Sequence, residues 1–412
     1  MRTGIAALCL LLGGCMLLDA RRQQAGLEET CRISGSVTSA RQEPPRIVVV
    51  LLRQSAGSRQ VVDHFVLERP GRWAFAAPQG DYAVAAFEDR NRDLVYQPGE
   101  AYGSAGLDPA LACAAGARLA NVTLAIPAQV KNAFPHTLDI AALQKRDGAD
   151  QARRTLGQLT VAGELVALSE ARFSDQNAED SLWRPLDFLV NGWAGVYFLE
   201  PYDARKIPVL FVHGINGSPA NFAPLVEQLD RARYQPWVYY YPSGLRLEAI
   251  AEHLDQTMAK LQQRYGFARF GVVAHSMGGL VARGFIQRHA ASARPARIPL
   301  FVTIATPWAG HHGAEIGVRT SPVVVPVWRD MAPGSEYQRG LYARALPAGM
   351  QHHLLFTYKD ETVTLESQLL AEAQREAARL YGFGETHMGV LRNAAVTSLV
   401  GELLKQAFLV DG

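Results

Sequence analysis

The sequence predicts an α/β protein with a doubly wound, mostly parallel sheet, preceded by a small all-β sandwich. Three observations predict it. From residue 208 onward, continuous apolar strands alternate with amphipathic helical stretches, the pattern of a parallel sheet covered on both faces. Between residues 31 and 126, short β runs are separated by turn residues, as in a small sandwich. The apolar run 269–274 breaks near Ser276, between small residues, and continues as a helical pattern. That is a strand turning sharply into a helix.

A chain of 412 residues exceeds what one compact core usually holds, so two domains are expected. Apolar residues make up 48%, charged residues 19%, and the net charge is +2. This balance is ordinary for a globular protein and gives no basic surplus for nucleic acid.

The N-terminus differs from the rest. Arg2 supplies positive charge, residues 5–12 are apolar, and Leu12-Gly13-Gly14-Cys15 follows. This resembles a bacterial lipoprotein signal (residues 1–14) with its lipobox. The resemblance implies a mature chain beginning at a lipidated Cys15, a tether over 15–30, and anchoring by two or three acyl chains, which hold where one would not. Met16 follows the cysteine, and by the same analogy the expected address is the outer membrane of a bacterial cell envelope. A plain cleaved secretory signal is the rival. The fifteen residues 4–18 are short for a membrane span. Of the four cysteines, Cys9 leaves with the signal and Cys15 is the lipidation site, so Cys31 and Cys113 remain. In an oxidising compartment these two are candidates for a disulfide bracketing the sandwich, the alternative being two separately buried thiols.

Within the sandwich region (31–126), β runs are expected at 46–52, 60–67, 71–76, 82–87 and 120–126, punctuated by Pro44-Pro45, Pro70-Gly71 and Pro98-Gly99. Its general look is similar to transthyretin-like or carboxypeptidase-regulatory-like sandwiches. Asp89, Asn91, Asp93 and Glu100 stand at positions one, three, five and twelve of an EF-hand-like loop, a weak calcium candidate. Leu94 occupies the place where Gly makes the sharp turn, and Arg90 and Arg92 dilute the negative charge. A solvated loop is therefore the favoured reading, with no metal. Residues 127–180 read as a helical or irregular connector lying against the second domain, with amphipathic fragments at 138–143 and 159–168.

The second domain (181–412) has expected strands at 209–212, 237–241, 270–274, 299–305 and 353–358, with helices at 220–229, 247–265 and from 277. Its chemistry is expected at the strands' carboxyl ends. Ala274 and Gly278, two residues either side of Ser276, are expected to be small because the turn brings them close. With Phe211-Val-His213-Gly214-Ile215 and Thr306-Pro307, the domain resembles the α/β-hydrolases, and within them the lipase and esterase group that includes lipase class 2 and PGAP1-like proteins. By that resemblance the Ile215 and Met277 amides hold an oxyanion, and His213 is a packing and hydrogen-bonding residue.

A serine hydroxyl is a poor nucleophile until a histidine takes its proton and a carboxylate orients that histidine. In this fold the chain order is Ser, acid, His. Asp360 matches the acid turn, with Glu361 its local competitor. Of the eleven histidines, His387 sits on a loop before the terminal helix and satisfies the order. Residues 311–350 are long for a connection and are expected to form a cap, in which 323–328 either face an acyl chain or build the cap's own core. His311, His312 and Glu315 are a poor metal set, because adjacent histidines cannot easily share one ion.

The expected activity is that of a membrane-anchored serine hydrolase cleaving carboxylic esters of lipids, with no cofactor. The alternatives are an acyltransferase or amidase using the same triad, or a non-catalytic surface binding lipoprotein.

Overall fold

The structure, a computed structural model, describes residues 19, 21–26, 30–55, 58–67, 69–130, 133, 134, 138, 140, 160–292 and 295–409. The expected signal and the lipidation candidate Cys15 lie outside the described residues. The chain divides into two compact units, one spanning essentially 24–160 and the other 161–412.

The first unit is all β. Strands β1 (Thr30–Ser39), β2 (Ile47–Ser55), β3 (Ser58–Leu67), β4 (Arg72–Pro78), β5 (Gly80–Glu88), β6 (Tyr102–Ala105), β7 (Leu111–Cys113) and β8 (Arg118–Ile126) form two sheets. One has the order β4-β1-β8, the other β3-β2-β5-β6 with β7 also on β5. Their inner faces bury alternate residues such as Ile33, Val49, Trp73, Phe75, Val84 and Leu124, the period-two pattern of packed sheets. Cys31 and Cys113 are buried and joined in a disulfide, with Cα atoms 5.8 Å apart. The other face of β2 and β5 is covered as well, by Tyr96, Phe134, Leu138 and Ile140. The Leu138 carbonyl accepts from the Tyr96 amide, and the Leu94 carbonyl from the Ile140 amide. The described start of the expected connector, at Phe134, Leu138 and Ile140, thus packs on the sandwich. Its apolar positions answer the fully apolar run of β2, which needs cover on both faces.

The second unit carries an eight-stranded sheet: β9 (Val161–Leu165), β10 (Gly195–Phe198), β11 (Ile207–Val212), β12 (Tyr234–Tyr240), β13 (Arg269–His275), β14 (Arg297–Ile304), β15 (Gln351–Thr357) and β16 (Arg379–Phe383). The spatial order is β16-β15-β14-β13-β11-β12-β10-β9. Every pair is parallel except β10 with β12. Within the stretch 159–168, read as helical or irregular, residues 161–165 form β9, so the unit begins near 161 and not at 181. As an edge strand β9 is exposed at Glu164 and Leu165 and half-buried elsewhere, which hides the periodicity a sheet interior would show.

Helix Leu247–Tyr265 is amphipathic, with Ile250, Leu254, Met258 and Leu261 buried, and it stops at Gly266 in the left-handed conformation at φ 68. Helix Met277–Ala290 is buried along most of its length, as befits the helix that crosses the middle of the sheet. The insertion expected over 311–350 contains three short helices, His312–Thr320, Pro326–Met331 and Glu336–Leu341. Val323, Val325 and Val327 are buried, and the last two join the main core with Leu247 and Ile250. Those valines build core, not an exposed acyl surface. No helix among the described residues is long and apolar enough to cross a membrane.

Candidate active site

The strand β13 ends at His275 and the next helix begins at Met277, so the whole reversal falls on Ser276, at φ 54 and ψ −132. A non-glycine residue there costs about 1–3 kcal/mol and persists only where its surroundings over-determine it. They do: the Ser276 amide donates to the Ile304 carbonyl at 2.8 Å, and its own carbonyl accepts from the Gly279 amide at 2.9 Å. A Cβ on Gly278 would run into the Val212 and His213 carbonyl oxygens, and one on Gly279 into the Thr306 side chain. The demand for small residues therefore comes first from the end of β11 and the Thr306 turn, where crowding against Ala274 was expected.

The chain after β11 passes directly against the nucleophile candidate: a Cβ on Gly214 would lie 2.8 Å from Ser276 Cβ. The Ile215 amide follows, and the Met277 amide opens the helix. Among the described residues neither has a hydrogen-bond partner, the second because the first turn of a helix leaves its amides free. His213 explains how the Ile215 amide is aimed. Its Nδ1–H donates to the Gly214 carbonyl at 2.8 Å, its Nε2 faces the Tyr241 amide at 3.4 Å, and its ring stacks on Tyr241 with centroids 4.1 Å apart. The tautomer follows from the partners, since a carbonyl can only accept. Because the peptide plane is rigid, fixing the Gly214 carbonyl fixes the direction of the Ile215 N–H. Burial pushes the His213 pKa down to about 4, so the ring stays neutral near pH 7.

The structure brings Ser276, His387 and Asp360 together from three loops. His387 Nε2 lies 2.9 Å from Ser276 Oγ, and Nδ1 lies 2.7 Å from Asp360 Oδ2. Asp360 Oδ1 accepts from the Thr362 and Val363 amides, each at 2.8 Å. Its Oδ2 also accepts from Thr357 Oγ1 at 2.9 Å and Gln368 Nε2 at 3.2 Å. Burial raises the carboxyl pKa, but the His387 hydrogen bond and the two amides outweigh it and hold the group below the usual carboxylate range. Glu361 is exposed.

Thr357 and Gln368 escaped sequence reading. Gln368 is fully buried and ties the acid turn together, accepting from the Thr357 amide and donating to the Val363 carbonyl. Its only sequence signal is a polar residue eight positions after the acid, which means nothing before the turn is folded. His311 donates from Nε2 to the Thr362 carbonyl at 2.8 Å, while exposed His312 stands 3.6 Å from Glu315.

The calcium candidate loop is closed on itself. Asp89 pairs with Arg46 and accepts from the Asp93 and Leu94 amides. Asp93 accepts from Asn91 Nδ2, Gln97 Nε2 and the Val95 amide, and Glu100 from the Arg90 and Gln97 amides. Leu94 takes the turn at φ 63 where Gly was expected. Among the described residues no group of three or more His, Cys, Asp and Glu side chains is placed to hold a metal ion.

With its sharp turn at Ser276 between β13 and the following helix, and its mostly parallel sheet, the second unit has the α/β-hydrolase fold. Residues 207–322 match a family model described as alpha/beta hydrolase fold; Ser276 falls inside that match, Asp360 and His387 beyond it. No curated protein matches the chain. Solved structures similar to it include a lin2722 gene product of Listeria innocua, 14% identical over 49% of this chain and 94% of that one, at TM-score 0.40. Others are the mature form of Bacillus licheniformis lipase BlEst2, at 17%, 52%, 96% and 0.40, and a monoacylglycerol lipase of Paleococcus ferrophilus, at 15%, 48%, 94% and 0.37.

Proposed function

We propose that the chain is a serine hydrolase of carboxylic esters, of lipase, esterase or phospholipase type, anchored through lipid on Cys15 in a bacterial envelope. The reading rests on one observation, the unbroken relay from Ser276 Oγ through the His387 ring to Asp360. In it, Ser276 Oγ attacks the acyl carbon as His387 Nε2 takes the hydroxyl proton. Asp360 keeps the ring's tautomer and stabilises its cation. The Ile215 and Met277 amides receive the oxyanion, each such donor being worth about 3–4 kcal/mol. Collapse expels the alcohol, protonated by His387. Water, deprotonated by the same nitrogen, then releases the acid and restores the serine.

The same intermediate passes its acyl group to another alcohol or forms from an amide, so acyltransfer and amide cleavage are the second reading. p-Nitrophenyl esters of graded chain length, with and without alcohol acceptors, rank these outcomes. Ester turnover dependent on Ser276 supports the proposal; binding of a surface ligand with no turnover on any ester would favour a non-catalytic binding protein. The anchor has its own test: metabolic incorporation of labelled palmitate that Cys15→Ser abolishes, with fractionation locating the wild-type chain in the outer membrane.

A further inference from the structure

A histidine relay works only if its imidazole sits still between two partners, and side-chain bonds at Nδ1 and Nε2 fix the ring less well when the main chain beneath it is loose. His387 lies on a loop, between β16 and the 3₁₀ turn Gly389–Arg392. The amides that follow skip its carbonyl: Val390 donates to Thr386, and Leu391 to Met388. The His387 carbonyl is taken by a side chain, the Nε2 of His275, at 3.0 Å.

His275 is the residue immediately before the nucleophile and is buried. Its ring packs against the His387 ring, centroids 4.7 Å apart. Since a carbonyl only accepts, Nε2 of His275 carries the proton. Burial, reinforced by the neighbouring His387, pushes the His275 pKa down to about 3, so the contact is a neutral hydrogen bond near pH 7. Two consecutive residues at the end of β13 thus grip one histidine at both ends, Ser276 by its ring and His275 by its main chain.

We propose that His275 is a positioning residue for the reaction: its Nε2–H anchors the His387 carbonyl and so registers the imidazole between Asp360 and Ser276. This rests on the proposed serine-hydrolase reading. The strained Ser276 then carries its own gauge for the base loop, because any movement of the strand end shifts nucleophile and anchor together.

The test uses the full-length protein with p-nitrophenyl butyrate and a fluorophosphonate probe. Gln at 275 can put an amide nitrogen near the place of Nε2, whereas Asn reaches only to the place of Nδ1. His275→Asn and His275→Phe are expected to lower kcat and the labelling rate about 30-fold with KM changed less than about threefold, in keeping with the cost of a misplacement near 1 Å. His275→Gln is expected to restore kcat to within about fivefold of wild type. If His275→Phe fails to fold, the Asn and Gln pair carries the comparison. Equal activity of Asn and Gln variants, or a rise in KM in place of the fall in kcat, would overturn the assignment and leave His275 a packing residue. Absence of Ser276-dependent labelling in the wild type would instead overturn the serine-hydrolase reading, and this inference with it.

Discussion

The two units bury their polar groups in different ways. The α/β unit, besides carrying the ion pairs Arg283–Glu376 and Arg246–Asp330, buries histidines: burial pushes His213 down to about 4 and His253, His275 and His352 to about 3, and lowers His353 as well. Among the described residues the sandwich has one histidine, His64. It buries charge in pairs, Glu88 with Arg41 and Asp89 with Arg46, and is closed by the Cys31–Cys113 disulfide. The unit that carries the candidate site is thus sensitive to protons, and the other to reductant. Chemistry at a carboxyl-end rim needs imidazoles kept neutral and in one tautomer, which burial supplies at the cost of acid stability.

Four outcomes would sharpen or break this contrast. The largest concerns function: His387→Ala is expected to reduce kcat by about 10⁴-fold or more, with hydrogen-exchange protection of both units unchanged. Loss of protection in the α/β unit would mean that the ring is structural.

Next is acid. A histidine whose folded pKa lies below the unfolded value near 6.5 gains its proton first in the unfolded chain. Its contribution is therefore complete above about pH 6.5 and is lost as pH falls towards 4 and 3. Each such residue tilts stability by on the order of 1 kcal/mol per pH unit across that window. Exchange resolved by region on the full chain should show the α/β unit weakening between pH 6.5 and 4 ahead of the sandwich. A flat profile would contradict the neutral-histidine account.

Reduction should do the reverse. The disulfide closes a loop spanning 82 residues, so Cys31→Ser with Cys113→Ser is expected to destabilise the sandwich by about 4 kcal/mol, read as lost exchange protection confined to 31–126, with the rate of fluorophosphonate labelling at Ser276 unchanged. The smallest effect is Thr357→Val. It removes one of the donors on Asp360 Oδ2, worth about 1 kcal/mol, and should lower kcat by up to about tenfold.

Much of the site was legible because its demands are local. The strained turn at Ser276 needs small residues around it, and the order Ser276, Asp360, His387 is what the resemblance to the α/β-hydrolases implies. Helix Leu247–Tyr265 was readable to its ends because its apolar stripe and terminal Gly266 are both in the sequence. Edge strands β9 and β16 were not, being short and half exposed; β10 is buried but only four residues long. Nor were Thr357, Gln368 and His275. His275 acts through a contact made only when distant segments meet, and Thr357 and Gln368 through the folded acid turn between 357 and 368; nothing in their own neighbourhoods distinguishes them from other polar residues. Gly278 has to be small as its place beside Ser276 implies, but the atoms it avoids belong to the end of β11, at Val212 and His213.

The central claim is that Ser276 is an activated nucleophile. The direct measurement is intact-protein mass spectrometry after treatment with a fluorophosphonate, on wild type and Ser276→Ala. The account predicts one adduct on the wild type, mapped to the peptide containing Ser276, and none on the variant. An adduct on Ser276→Ala, or an unlabelled wild type that is folded by exchange, would contradict it.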